Sequence, residues 1–504
     1  MAAAAGPEAF PRGNLLPGET LCAIFAHLPF ADLICVTHVC RFWRESALAF
    51  PALLWSSIES RSIVPAALDA LLNRAERVPV QLSVTFSAEL VDSTLESIVR
   101  HLYHTRGLSL AWDPDALDDA TDTRLNSALA QDVDVGSILA RLESRAPLLE
   151  SLILELFAPD DDMDSDDPSN VVLPTDLFRG HAPRLRIVSL GCDLRIPRAC
   201  DAMRSVTHLR YDSTILPTSC LLNLDVVFPS LQFFKVQVEV CNAVPDGSRS
   251  SLKLRLFDLD CDKFSPSIVH YFDLYTVPCV VLDDYQGWYD QLQGDRLPVR
   301  LDVGRQLSTA TRCKMVDGVG RSLTVKWESS RIYLEASVLQ NVRVLTVMEA
   351  CFTQHHLLHC LPQLERLCVF ATDYSEWWYH DFRAPNWAAF PGVFHSFSGR
   401  RTAMAAISCP NLQILDIAVK PSISPYPSSS LALPPEGVLA FIDRHLRFNA
   451  TKLERLEFHG VELLTAVPME LGRLFDFVDT ICVEPTCLPD PFDCGVDWNP
   501  LAKS

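Results

Sequence analysis

The chain has 504 residues, of which 48% are hydrophobic, and a formal net charge of −20. That length and apolar content support a large buried core, while the acidic balance excludes nucleic acid and anionic membrane as main partners. No apolar run reaches the roughly 18 residues that span a bilayer, MAAAAGPEAFPRGN lacks the basic start and apolar stretch of a secretory signal, and 17 scattered cysteines fit reduced thiols rather than a disulfide framework.

Residues 1–13 are expected to be disordered, and the first elements follow from Leu16 and Pro17, since a first helical turn tolerates a residue without an N–H. Leu21, Ile24, Phe25 and Leu28 recur at i, i+3, i+4 and i+7, an amphipathic helix stripe that Pro29 breaks. Asp32 is expected to cap a second helix, with Leu33, Val36, Cys40 and Trp43 on one face and Val39 and Ala47 beside them. Pro51 ends that helix, and Leu54 and Trp55 form another apolar pair. A segment of this size rarely buries enough surface to hold itself together. It also has more large apolar side chains than a packed helical cap needs, each worth roughly 1.5–3 kcal/mol when fully buried. A helix cluster built for another protein is the reading adopted, with an ordinary cap as its alternative.

The string LPGETLCAIFAHLPFADLICVTHVCRFWRESALAFPALLWSSI resembles the F-box. The resemblance is carried by Leu16-Pro17, Ile24-Phe25, Asp32-Leu33, Val39-Cys40-Arg41, Trp43-Arg44 and Leu54-Trp55, within an F-box placed at 14–60. Thr20 departs from the aliphatic residue frequent in that family. The resemblance implies a partner, the adaptor that joins F-box proteins to cullin in an SCF-type ubiquitin ligase. Leu16, Pro17, Leu21, Ile24, Phe25, Leu28, Leu33, Val36, Val39, Cys40 and Trp43 form the adaptor-facing and supporting set, which sequence does not subdivide.

Residues 61–145 read as a linker helix, Ala66 to Ala75, and first repeats, beginning with a β-rich run from Val78 to Phe86. From there the phrase apolar-x-x-apolar-x-apolar returns. It is clearest at Leu149-Leu152-Leu154, Leu185-Val188-Leu190, Leu364-Leu367-Val369, Leu412-Leu415-Ile417 and Leu453-Leu456-Phe458. Weaker copies begin at Val206, Leu231, Leu254, Val277 and Val342, and Val478-Ile481-Val483 closes the series. Phrase starts from 185 to 277 fall 21, 25, 23 and 23 residues apart, and degenerate copies at Leu301-Val303 and Leu323-Val325 fill the gap to 342. The second and third apolar residues lie two apart, so on a strand both face the core.

The phrase resembles the leucine-rich repeat. The fold expected is therefore α/β: a small all-α N-terminal F-box, then a solenoid over 146–485 with strand–helix repeats of about 22 residues. A Pro or small residue before several strands reads as a helix stop. Outward strand positions Arg210, Lys235, Asp258, Thr346, Arg366, Asp416 and Glu457 are the candidate substrate-binding surface, mixed in charge and suited to a protein. An acidic loop at 159–170, a Pro/Ser-rich loop at 421–435, an aromatic-rich insertion from Tyr374 to Phe397 and a tail at 486–504 interrupt or end the repeats. Searching for chemistry yields little. Gly318-Val319-Gly320 starts a dinucleotide fingerprint without its third glycine, and Cys351, His355, His359 and Cys360 have zinc-like spacing where a repeat helix is expected anyway. No catalytic residue, metal or cofactor is assigned. The expected function is substrate recruitment by a non-enzymatic ligase subunit, cytoplasmic or nuclear, with no nucleic acid or membrane partner; the alternative is a repeat scaffold without a ligase role.

Overall fold

A computed structural model describes residues 16–61, 65–75, 78–86, 90–112, 135–156, 171–191, 194–283, 297–305, 311–327, 339–352, 360–371, 406–419, 431–433, 435–463 and 472–492. The chain divides into two compact units: residues 1–253 with 263–265 and 497–504, and residues 254–262 with 266–496.

The first unit begins with four short helices, α1 (Gly18–Phe25), α2 (Phe30–Val36), α3 (Arg41–Ala49) and α4 (Pro51–Leu54). The expected cap at Asp32 is not what the structure shows. Pro29 is the N-cap of α2, and Asp32 lies in the first turn, where its charge still favours the positive end of the helix. Nor do Leu33 to Trp43 share one helix, because Cys40 adopts extended backbone and its Sγ caps α3 by accepting from Trp43 N. After these come α5 (Pro65–Ala75) and α6 (Val91–His101). A chain of hydrogen bonds, buried at its centre, ties these two helices, from Asp69 through His101 and His104 to the Val78 carbonyl.

Among the described residues seven strands follow one another in this unit: β1 (Ser57–Arg61), β2 (Val80–Phe86), β3 (Thr105–Trp112), β4 (Ser151–Glu155), β5 (Ile187–Leu190), β6 (His208–Leu216) and β7 (Phe233–Cys241). Each pairs in parallel with the next. The register stacks Leu82, Leu108, Leu152, Val188, Leu209 and Phe234 in one column, and Val84, Leu110, Leu154, Leu190, Tyr211 and Val236 in another. Every one of these side chains is buried. Since strand side chains alternate with period 2, a slip of one residue anywhere would turn a whole column to the other face.

A single local device resets the chain before many strands. Leu149, Leu185, Val206, Leu231, Leu364 and Leu412 each donate their backbone N–H to the carbonyl three residues back, on Ala146, Ala182, Met203, Phe228, Leu361 and Cys409. In five of the six the next residue is proline: Pro147, Pro183, Pro229, Pro362 and Pro410. Proline with its fixed φ suits the second position of such a turn. Its role is thus to start a turn rather than only to stop a helix.

The second unit holds β8 (Leu256–Phe264), β9 (Cys279–Asp283), β10 (Pro298–Arg305), β11 (Thr311–Asp317), β12 (Ser322–Trp327), β13 (Val344–Met348), β14 (Arg366–Ala371), β15 (Ile407–Ser408), β16 (Ile414–Val419), β17 (Leu431–Leu433), β18 (Leu446–Arg447), β19 (Leu453–His459), β20 (Val461–Leu463) and β21 (Val478–Glu484). Strands β13, β14, β16, β19 and β21 continue the sequential parallel pattern. Leu345, Leu367, Leu415 and Leu456 stack in one buried column, with Val347, Val369, Ile417 and Phe458 in the next. At the last strand the pattern fades, and Val483 is exposed. Short β15–β18 and β17–β20 pairs lie beside the main ladder.

Between β9 and β13 the simple succession of parallel repeats fails. Strand β9 pairs with β12, β12 and β10 pair antiparallel with β11 on either side, and β10 pairs with β13. A parallel crossover needs about a dozen residues, and only residues 318–321 separate β11 from β12. Gly318-Val319-Gly320 is the hairpin turn between them, not the start of a nucleotide loop: Asp317 Oδ1 accepts from Val319 N and Arg321 N, and Gly320 has φ +86. Leu301, Val303, Leu323 and Val325 still enter the core, joined from β11 by Met315 and Cys313.

Candidate partner-binding surfaces

The helices α1 to α4 sort the expected adaptor set into two groups. Leu21, Phe25 and Leu33 are buried and hold the helices together. Phe25 packs against Trp43 with ring centroids 5.2 Å apart, Cys22 Sγ donates to the Ser46 carbonyl at 3.3 Å, and Arg44 Nε donates to the Thr37 carbonyl at 2.9 Å. Trp55, fully buried, donates Nε1–H to the Ala47 carbonyl at 3.1 Å, and the Arg74 guanidinium lies 5.3 Å from its ring centroid.

The second group faces out. Leu16, Pro17, Ile24, Val39 and Cys40 are exposed, Ile24 by 48% and Val39 by 61%. Leu28, Val36 and Trp43 are half-buried between the groups. Leu48 and Leu53 are exposed apolar residues of the same helices that the sequence motif did not single out; their signal was a large aliphatic side chain on the side of α3 and α4 away from Ala47 and Leu54. An isolated exposed leucine is unremarkable, but this concentration on a small helical region marks a surface made to be covered.

The expected substrate surface is split between the units. Arg210 and Lys235 are register partners on β6 and β7, both half-buried. In the second unit Asp258 is half-buried on β8, and Thr346 and Asp416 are buried. Arg366, Asp416 and Glu457 form a connected network: Arg366 Nε lies 2.5 Å from Asp416 Oδ2, and its Nη2 lies 3.1 Å from Glu457 Oε2. Arg455 and His459 close on Glu457 at 3.0 and 3.3 Å. Burial pushes the Asp416 carboxyl above its usual range, against the pull of the Arg366 hydrogen bond. Burial acts the same way on Glu457, where the hydrogen bond from Arg455 and the charge of Arg366 outweigh it and hold that carboxyl low.

Asp416, Glu457 and His459 bring ligand-type atoms within 4.8 Å of one another. The Arg366 guanidinium already occupies the carboxylate oxygens that a cation would need, so this triad is an ion-pair network and fits no metal. Of the zinc-spaced residues Cys351 is buried and Cys360 exposed, while His355 and His359 lie outside the described residues. The acidic loop at 159–170, the aromatic-rich insertion and most of the Pro/Ser-rich loop also lie outside them. No helix among the described residues is long and apolar enough to cross a membrane.

No curated protein matches the chain. Residues 14–60 match the F-box-like family, and those residues hold the four helices whose buried and exposed apolar sets are described above. F-box domains in general bind the adaptor of SCF-type ubiquitin ligases, and the helical N-terminal region of this chain is an F-box-like domain.

Proposed function

We propose that the chain is a substrate-recruiting subunit of an SCF-type cullin–RING ubiquitin ligase, acting in the cytoplasm or nucleus and without an active site of its own. The observation that carries this reading is the set of exposed apolar side chains Leu16, Pro17, Ile24 and Val39 on an F-box-like domain held together by the buried Leu21, Phe25, Leu33, Leu54 and Trp55. Each such side chain gains roughly 1.5–3 kcal/mol on full burial, so an adaptor covering the exposed set supplies what the helices alone leave unused.

The strand-rich remainder is read as irregular leucine-rich repeats that hold a protein substrate. In-register parallel strands with buried columns support that reading, as do recurrent x-Pro-x-Leu turns and strand starts at Ile187, His208, Phe233, Leu256 and Cys279. Recruitment then works by proximity, raising the effective concentration of substrate beside a charged conjugating enzyme while other subunits perform the transfer. Size-exclusion reconstitution of the full chain with purified adaptor and cullin tests this. Co-elution of all three is the expected result, and adaptor binding without cullin, or neither, returns the chain to the class of repeat scaffolds.

A further inference from the structure

Across β10, β13, β14 and β16 the β-sheet of the second unit buries residues on both of its faces. On the inner face lie the columns of Leu345 and Val347. On the opposite face Asp302, Thr346, Cys368, Phe370 and Ala418 are also buried, which a surface free to receive substrate would not show. The chain's own segment after β21 packs on part of this face. Cys487 sits against Gly460, its Sγ 2.6 Å from where an added Cβ on that residue would stand. Leu488 packs on the cluster of Cys368, Phe370 and Ala418, together with Met348. The Pro491 carbonyl accepts from Lys314 Nζ at 2.7 Å. The Phe492 ring lies on Gly304, where an added Cβ would stand 2.3 Å from its Cε2 and 3.2 Å from Met348 Sδ.

The spacing of the anchors matches the spacing of the strands. Leu488 rests over β14 and β16, and Phe492 over β10, two to three strands away. Neighbouring strands lie about 4.8 Å apart, so the span is roughly 10–14 Å. Four residues of fully extended backbone reach at most about 13–14 Å, so the span is within reach of the segment. Pro489 and Pro491 favour extended backbone and cannot join a strand ladder through their own nitrogen. The segment crosses the sheet with two apolar anchors and a carbonyl held by a lysine, and Asp490 Oδ1 accepts from Phe492 N at 3.0 Å to seat its end. Leu488, Pro491 and Phe492 are only half-buried, whereas the residues beneath them are almost wholly so.

We propose that the outer face of β10, β13, β14 and β16 is a groove for an extended, proline-interrupted peptide with two apolar anchors four residues apart, and that Cys487–Phe492 is its displaceable occupant in cis. This rests on reading the repeat region as a partner-binding surface. A substrate carrying such a segment competes with the chain's own tail, which holds the groove closed until outcompeted.

The test uses the full-length chain and a fluorescent peptide of residues 485–492, PTCLPDPF, in reducing buffer. The Leu488→Ala/Phe492→Ala variant is expected to bind the peptide at least about tenfold tighter than wild type, and adding Gly304→Val to that variant is expected to abolish the gain. Equal binding by wild type and variant, indifference to Gly304→Val, or loss of cooperative unfolding in the double variant each overturns the proposal. A second measurement needs no variant: mass-resolved thiol labelling of the native wild-type protein. Cys368, beneath Leu488, is expected to label at least about tenfold faster than Cys313, which is buried in the inner core of the same sheet. Equal rates would show that the segment leaves only on global unfolding, and the proposal fails. None of these readouts involves the adaptor, so the ligase reading and this one stand or fall separately.

Discussion

Asp416 shows how much one side chain can depend on another. Its carboxyl is 1% exposed and would be a costly buried charge without the two hydrogen bonds from Arg366. Breaking a fully buried pair costs about 3–5 kcal/mol. Arg366 is 40% exposed, so water softens the loss. Arg366→Ala is expected to destabilise the second unit by about 2 kcal/mol at pH 7, measured by denaturant unfolding. The pH dependence has a definite sign. A carboxyl whose folded-state pKa is raised binds more protons folded than unfolded, so it costs stability as pH rises and the cost fades in acid. The destabilisation by Arg366→Ala is therefore expected to shrink between pH 7 and pH 4. A larger loss at pH 4 would mean that Arg366 acts through packing instead.

At the scale of elements, short signals fixed the outcome. Proline two residues ahead of a leucine places a turn, and the turn aims the strand so that positions two apart enter the core. These phrases were legible because a period-2 pattern maps directly onto the faces of a strand. The β10–β12 meander was not, because its strands carry the same apolar alternation and pairing direction depends on connection length. The available clue was Asp317-Gly318, a turn dipeptide in the right place. Gly320 isolates the backbone contribution of that turn, since a Cβ there meets nothing within 4 Å. Gly320→Ala is expected to cost about 1 kcal/mol from left-handed strain alone, seen as a lowered urea midpoint with unchanged m-value. No shift would mean that the hairpin relaxes freely.

Across the whole molecule, an F-box-like domain at residues 14–60 and ladders of parallel strands occupy different parts of one chain. The motif residues were readable in the sequence because stripe and proline signals are local. Their division was not. Leu21 and Ile24 are three residues apart on one stripe, yet Leu21 is buried and Ile24 is half exposed, since burial is decided by where α3 crosses α1. The packing of the tail was illegible for a related reason: Leu488 and Phe492 belong to no periodic pattern, and their seat on Gly304 and Cys368 is made by distant residues. The division within the F-box-like domain supplies the most direct measurement, calorimetric titration of purified adaptor into the full-length chain and into Ile24→Asp. The account predicts tight binding by wild type, and at least about a hundredfold loss in Ile24→Asp with an unchanged melting temperature, because the substituted side chain already faces solvent. Binding of Ile24→Asp at wild-type strength, or no binding by folded wild type, would contradict it.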